Sequence, residues 1–385
     1  MNEFITGYLQ KIIPVSFNLE TAEEFITIGD ADPAFTLKIN RNIPKRELLN
    51  STSLALGEAY MREDIDVDKD LFEVLDSFLG EMGKFSINRG ALRRILYTSK
   101  NMRSQEKEVT SHYDIGNDFY KLWLDETMSY SCGFFKEDSD TLYEAQVNKV
   151  EHILDKMHMK EGMTILDIGC GWGFLLKHAV KHYGVRGVGI TLSREQHAKF
   201  QKDIEDEELQ DRLEVRLMDY RELKASGLAF DRVVSVGMLE HVGRGNYPLF
   251  LECVQSVLKP GGLFLLHYIS ALQEFPGDAF IKKYIFPGGV IPSLREIIHI
   301  MGDRKLYTVD VESLRRHYTK TLLCWRDNLL KHKEEITKRY GKEFMRMWEL
   351  YLASCAATFH NGIIDLHQIV MTNGINNELP MTRVV

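Results

Sequence analysis

The chain has 385 residues, 44% of them hydrophobic and 27% charged, a globular composition long enough for one large domain and a smaller one. A net charge of −8 argues against wholesale nucleic-acid binding, and the longest apolar runs, such as "GGLFLLHYI", fall well short of the roughly 18 to 20 residues of a membrane-spanning helix. Five scattered cysteines with no CxxC pair, and a start without signal-like character, favour a reduced, cytoplasmic setting with neither disulfides nor a structural metal.

Residues 1 to about 100 read as a small α+β unit. Phe4, Ile5, Tyr8, Leu9, Ile12 and Ile13 make a helical stripe, "FITIGD" and "FTLKI" suggest a β-hairpin across "ADPA", and "LLNSTSLALGEAYMREDI" and "LFEVLDSFL" suggest helices. From Lys84 to Lys107 the charge balance turns over: Lys84, Arg89, Arg93, Arg94, Lys100, Arg103 and Lys107 face only Glu106 and Glu108. That run reads either as a solvated helical face or as a contact surface for anionic phosphates. "KNMRSQEKEVT" loses apolar periodicity, so a linker is expected over 101–110, between a domain of residues 1–100 and one of residues 111–385.

Beyond the linker, "MTILDIGC", "GVRGVGITL", "LEVRLMDY", "FDRVVSVGML" and "GGLFLLHYI" alternate as strands with amphipathic stretches. That rhythm predicts an α/β fold, a doubly wound and mostly parallel sheet. After Ser313 a long helical segment through "EFMRMWELYLASCAATFH" is expected to fold back over the active edge of the sheet. "ILDIGCGWG", residues 165–173, is a buried strand entering a glycine-rich turn, where Gly169, Gly171 and Gly173 leave room for a ligand against the backbone. Asp167 precedes the turn as a polar anchor. The next strand ends in "GITLSREQ", without the carboxylate that holds an NAD ribose, so Thr191, Leu192, Ser193 and Gln196 must supply contacts instead. Asp219, followed by Tyr220, stands where an acceptor can meet an adenine amino group.

"LDIGCGWG" closely resembles S-adenosylmethionine-dependent methyltransferases, the Rossmann-like class I fold. "HYDIGNDFYKLWLDETMSYSCGFF", "GITLSREQ", "SVGMLEHVG", "KYIFPGG" and "YLASCAATF" narrow the likeness to the cyclopropane fatty acid synthases and mycolic acid cyclopropane synthases, from about Val109 onward. "SLALGEAYM" is similar to the N-terminal domain of the phospholipid-acting members.

The resemblance implies transfer of the sulfonium methyl group of S-adenosylmethionine to a cis double bond in a phospholipid acyl chain, leaving S-adenosylhomocysteine. Ring closure then removes a proton from the new methyl group. It also implies a bound bicarbonate as the base, caged by Cys132, Glu240, His267, the Ile269 backbone amide and Tyr318. In this picture Glu240 either orients His267 or accepts the bicarbonate proton. Tyr130 and Ser131 are expected on the methionine carboxylate or ribose, and Cys355 at a position sometimes marked as an active-site cysteine, although a cysteine between small helical residues usually packs. The implied partners are the bilayer surface, met peripherally from the cytoplasmic side by residues 1–100 and the basic run, and its unsaturated acyl chains, with a homodimer as family behaviour. The aromatic stacking platform and high pI of a nucleic-acid enzyme are missing.

Overall fold

The structure, a computed structural model, describes residues 3–13, 15–82, 116–274 and 277–382. The basic run from Lys84 to Lys107 and the expected linker lie outside the described residues. The chain divides into two compact units: Met1–Arg89 with Gly277–Ile285 and Thr319–Ile364, and Gly90–Pro276 with Phe286–Tyr318 and Asp365–Val385.

The first unit carries a four-stranded sheet of β1 (Phe17–Thr21), β2 (Phe25–Ile28), β3 (Thr36–Ile39) and β4 (Ile65–Val67), in the order β2-β1-β3-β4. The expected hairpin between "FITIGD" and "FTLKI" does not form. β1 lies between them, antiparallel to β2 and parallel to β3, because Phe17 and Leu19 alternate into the core and give "FNLET" a buried face of its own.

The C-terminal helices are a second difference. Thr319–Ile364 belongs to this first unit, not to the sheet domain in which the sequence reading placed it. Helix Lys342–His360 packs on helices Thr52–Met61 and Leu71–Met82, where Ala353, Ala356 and Ala357 are buried and allow close approach. Arg346 of this helix lies 3.7 Å from the Tyr60 ring centroid, and Arg326, on helix Arg315–Lys331, pairs with Asp70 just before Leu71–Met82.

The second unit is a seven-stranded sheet of β5 (Thr164–Ile168), β6 (Arg186–Thr191), β7 (Leu213–Leu217), β8 (Phe230–Val236), β9 (Leu258–Ser270), β10 (Leu306–Ser313) and β11 (Asp365–Asn373). Its order is β10-β11-β9-β8-β5-β6-β7, with β5 to β9 parallel and β11 antiparallel to both neighbours. The central strands read as nearly unbroken apolar runs because both faces are covered: Leu166, Ile168, Phe264 and Leu266 enter one core, while Ile165, Leu263 and Leu265 enter the other. The chain leaves β5 toward β6 and β7, then returns to pair β8 on the other side of β5. This is the topological switch point, where ligands bind beyond the carboxyl ends of the strands.

Candidate active site

Beyond those strand ends lies a cavity lined by the loop after β5, the ends of β6 and β7, the loop after β8 and the segment Thr127–Ser131. Of the twelve cofactor positions expected from sequence, Tyr130, Ser131, Asp167, Gly169, Gly171, Gly173, Thr191, Leu192, Gln196, Asp219 and Tyr220 line it. Ser193 does not. It is buried as the N-cap of helix Arg194–Asp206, its Oγ accepting the Gln196 N–H.

The glycine loop divides its labour. Gly171 has φ +55° and a Cβ there would meet nothing within 4 Å, so the space above it is the cradle itself. Gly173 has φ +83° and its Cβ would fall 2.2 Å from the Phe200 ring, so this glycine serves helix packing and turn geometry. Asp167 presents an orphaned Oδ1, and burial pushes its carboxyl up to about 7. A buried acceptor without a partner calls for a ligand donor, such as an ammonium or a hydroxyl. Asp219 is already engaged, its carboxylate held bidentate by Arg221 at 2.8 and 2.7 Å; an adenine amino group would have to share it.

Sequence reasoning missed the brace behind the Thr127–Ser131 segment. Helix Leu142–Lys156 opens on a capping box, Thr141 with Glu144, and turns Gln146 and Lys149 inward. Gln146 Nε2 donates to the Ser131 carbonyl at 2.9 Å, and Lys149 Nζ to Ser131 Oγ at 2.9 Å. Burial pulls Lys149 down to about 8, against the opposing pull of Asp125, Cys132 and Asp167, so it keeps most of its charge near neutral pH. Tyr130, next in the segment, is wedged among aromatic rings, 5.2 Å from Trp123 and 5.7 Å from Tyr120.

Of the reaction group expected from the resemblance, Glu240, His267 and Ile269 fall at or just beyond the carboxyl ends of β8 and β9. Glu240 Oε1 accepts the Ile269 N–H at 2.6 Å, while Oε2 is buried without a partner. The amide assigned to the anion is therefore spent on Glu240. Burial lifts the Glu240 carboxyl to about 7, only partly offset by that N–H. His267 is buried two residues before Ile269, its Nδ1 3.2 Å from the Gln368 amide nitrogen and its Nε2 orphaned. Glu240 does not orient His267; Gln368 touches the ring instead.

Cys132 is wholly buried, its Sγ 3.2 Å from the Gly133 carbonyl and 3.9 Å from that of Leu314, and Tyr318 begins one turn after Leu314, its N–H bonded to the Leu314 carbonyl. Lys149 acts electrostatically on both Cys132 and His267, as it does on Asp167, so the charge of the brace bears on the expected reaction group as well as on the cofactor cavity. Cys355 belongs to the first compact unit, and burial pushes its thiol up to about 12.

A sequence model described as mycolic acid cyclopropane synthetase matches residues 100–369. The chain belongs to this family. A second model, a domain of unknown function, matches residues 2–89. Among relatives, the cyclopropane-fatty-acyl-phospholipid synthase of Escherichia coli K12 is 37% identical over 93% of each chain. A probable fatty acid methyltransferase of Pseudomonas putida is 36% identical over 96% of this chain and 95% of its own. The cyclopropane synthase MmaA2 from Mycobacterium tuberculosis superposes with a TM-score of 0.66 at 33% identity, over 71% of this chain and 99% of its own. The mycolic acid cyclopropane synthase CmaA1, solved with SAH and CTAB, gives 0.66 at 34% identity, over 69% and 98%. Membership makes the chain an S-adenosylmethionine-dependent methyltransferase of the Rossmann-like class, and the open space over Gly171 and the orphaned Asp167 oxygen fit that cofactor.

Proposed function

We propose that the protein converts the cis double bond of an unsaturated phospholipid acyl chain into a cyclopropane ring, with a bicarbonate ion held at Glu240 and His267 as the base. The observation that carries this reading is the pair of buried orphans, Glu240 Oε2 and His267 Nε2, at the ends of adjacent parallel strands. Residues on both sides of Glu240, Met238 and His241, line the cofactor cavity.

When bound, S-adenosylmethionine supplies an electrophilic methyl group, which an alkene accepts without prior deprotonation. The protein's task comes afterwards: it must take one proton from the delivered methyl group while keeping water away from a carbocation. Glu240 is poorly suited to do so itself, because burial keeps it partly protonated near neutral pH and a carboxylate touching the cation would be alkylated. A protonated Glu240 can donate to a small anion, and the Lys149 charge, which acts on His267, favours one. Bicarbonate would supply the proton acceptor there, with Glu240 and His267 holding it and Tyr318 and Cys132 completing the cage.

The phospholipid substrate is supported by the match to the E. coli enzyme, which extends over the N-terminal residues as well as the sheet domain. Peripheral docking on the bilayer is part of the same proposal. Among the described residues no helix is long and apolar enough to cross a membrane, yet an acyl chain drawn into water costs about 0.8 kcal/mol per CH2. Expression in a host lacking such an enzyme, followed by lipid mass spectrometry, tests the reaction: one CH2 gained and one alkene lost supports it, and unchanged lipids refute it. Stripping dissolved carbon dioxide should lower the rate and adding bicarbonate should restore it; an indifferent rate removes the proposed base.

A further inference from the structure

The two ring nitrogens of His267 have opposite surroundings. Nδ1 faces the Gln368 amide nitrogen at 3.2 Å across the β9/β11 ladder, where the two residues are register partners, and Nε2 is buried with nothing to bond. The Gln368 side chain is oriented from behind. Its Oε1 accepts from Lys156 Nζ at 3.0 Å, and turning the amide over would set its NH2 against an ammonium. Lys156 is itself pinned, paired with Glu312 and lying 3.3 Å from Asp310, and Glu312 also meets His152 Nε2 at 2.7 Å.

An amide NH2 can only donate, so Nδ1 of His267 accepts. A neutral imidazole that accepts at Nδ1 carries its proton on Nε2. Neutrality follows from burial, reinforced by the cationic groups that face the ring, Lys149 and Lys156, with His152 adding to them and Glu312 opposing. A histidine built to serve as a base would have an acceptor behind Nδ1. Here Glu312, the acid that acts on the ring, reaches it only through Lys156 and Gln368, and the ammonium outweighs its effect.

We propose that Gln368, locked by Lys156 and Glu312, is the positioning residue that fixes His267 as its Nε2–H tautomer, making the ring a hydrogen-bond donor to the reaction centre and not a proton acceptor. The role in the reaction rests on the reading of His267 above; the tautomer does not. It is read by 15N-histidine labelling of the full-length enzyme, with two-bond nitrogen–proton correlations and a His267→Asn variant to assign the ring.

The wild-type ring is expected as Nε2–H throughout pH 6 to 8. Gln368→Glu puts an acceptor behind Nδ1, so the tautomer should reverse or the ring take a second proton. kcat should fall at least about tenfold, while KM for vesicles and affinity for S-adenosylhomocysteine stay within about twofold. Gln368→Met, nearly isosteric and uncharged, should release the lock and give mixed tautomers with an intermediate kcat. A wild-type ring protonated on Nδ1, or a Glu variant with the tautomer unchanged, overturns the proposal. A reversed tautomer with an unaltered rate overturns its catalytic half and, with it, the place of His267 in the proposed cage.

Discussion

Replacing Glu240 with glutamine separates stability from chemistry in one variant. The carboxyl is lifted from 4.5 to about 7 by burial, so the fold binds its proton more tightly than the unfolded chain does. Stability from this group is then complete below about pH 4.5 and drains away as pH rises to 7 and beyond. At roughly 1.4 kcal/mol for each pH unit between the two values, the charged carboxylate costs the fold about 3 kcal/mol at pH 8. Glutamine keeps an oxygen for the Ile269 N–H at Oε1 and cannot ionise.

The melting temperature of the sheet unit in Glu240→Gln should therefore rise relative to wild type by roughly 5 to 10 °C on going from pH 5 to pH 8. Taking the difference between the two proteins cancels Asp167, which titrates over the same range in both. Differential scanning calorimetry in carbonate-free buffer makes the measurement, since a bound anion would add its own linkage. Over the same preparations, ring formation on vesicles should drop by about a hundredfold or more, while calorimetric affinity for S-adenosylhomocysteine holds. Parallel melting curves at the two pH values would show that Glu240 is not a buried titrating acid. Cofactor affinity lost in step with activity would place it in the cofactor site and break the proposed cage.

Gly171→Ala should fold with about 1 kcal/mol of strain and lose cofactor binding, because its new methyl points into open cavity, whereas Gly173→Ala should lose about 3 kcal/mol of stability against the Phe200 ring; equal melting temperatures for the two, or retained affinity in the first, contradict this division. Lys149→Met should weaken S-adenosylhomocysteine binding about tenfold and remove a group titrating near pH 8 from its pH profile, and a profile identical to wild type rejects the brace as an electrostatic contact. Reversing Arg89, Arg93 and Arg94 to glutamate should reduce binding to anionic liposomes at low salt, the wild-type advantage fading as salt rises, with cofactor affinity unchanged; normal cyclopropanation of anionic vesicles by the triple variant leaves the basic run as a solvated face.

Where the sequence was legible, the governing constraint was local. The strand and turn of "ILDIGCGWG" are set by contiguous apolar residues and by glycines at positive φ, and both appear in the structure within a residue or so of where the pattern puts them. β10 and β11 were missed for a different reason. β10 is an edge strand with only Leu306 buried along "LYTVDVES", so it carries almost no alternation, and β11 returns to the sheet after a helical stretch, Thr319–Ile364, that belongs to the other unit. The mistaken hairpin has the same origin. Two adjacent strand-like segments predict pairing with each other, but the stronger buried face belonged to the strand before them.

The site shows how far a motif carries and what it leaves out. Cofactor positions clustered in sequence, so eleven of twelve fell on the cavity, and the exception, Ser193, is a serine at a helix start, where capping competes with ligand binding for the same hydroxyl. Gln146, Lys149 and Lys156 form no motif. They occupy the same face of helix Leu142–Lys156 as Leu142, Ala145, Val150 and Ile153, positions that an amphipathic pattern reserves for apolar side chains. Long polar residues on such a stripe can be buried only if something inside accepts their hydrogen bonds, here Ser131 for two of them and Gln368 with Glu312 for the third. The interruption of the stripe was the available signal. It says that the helix serves the cavity wall as well as the core, and it leads from Lys149 to Ser131 in that wall and, through Gln368, from Lys156 to His267.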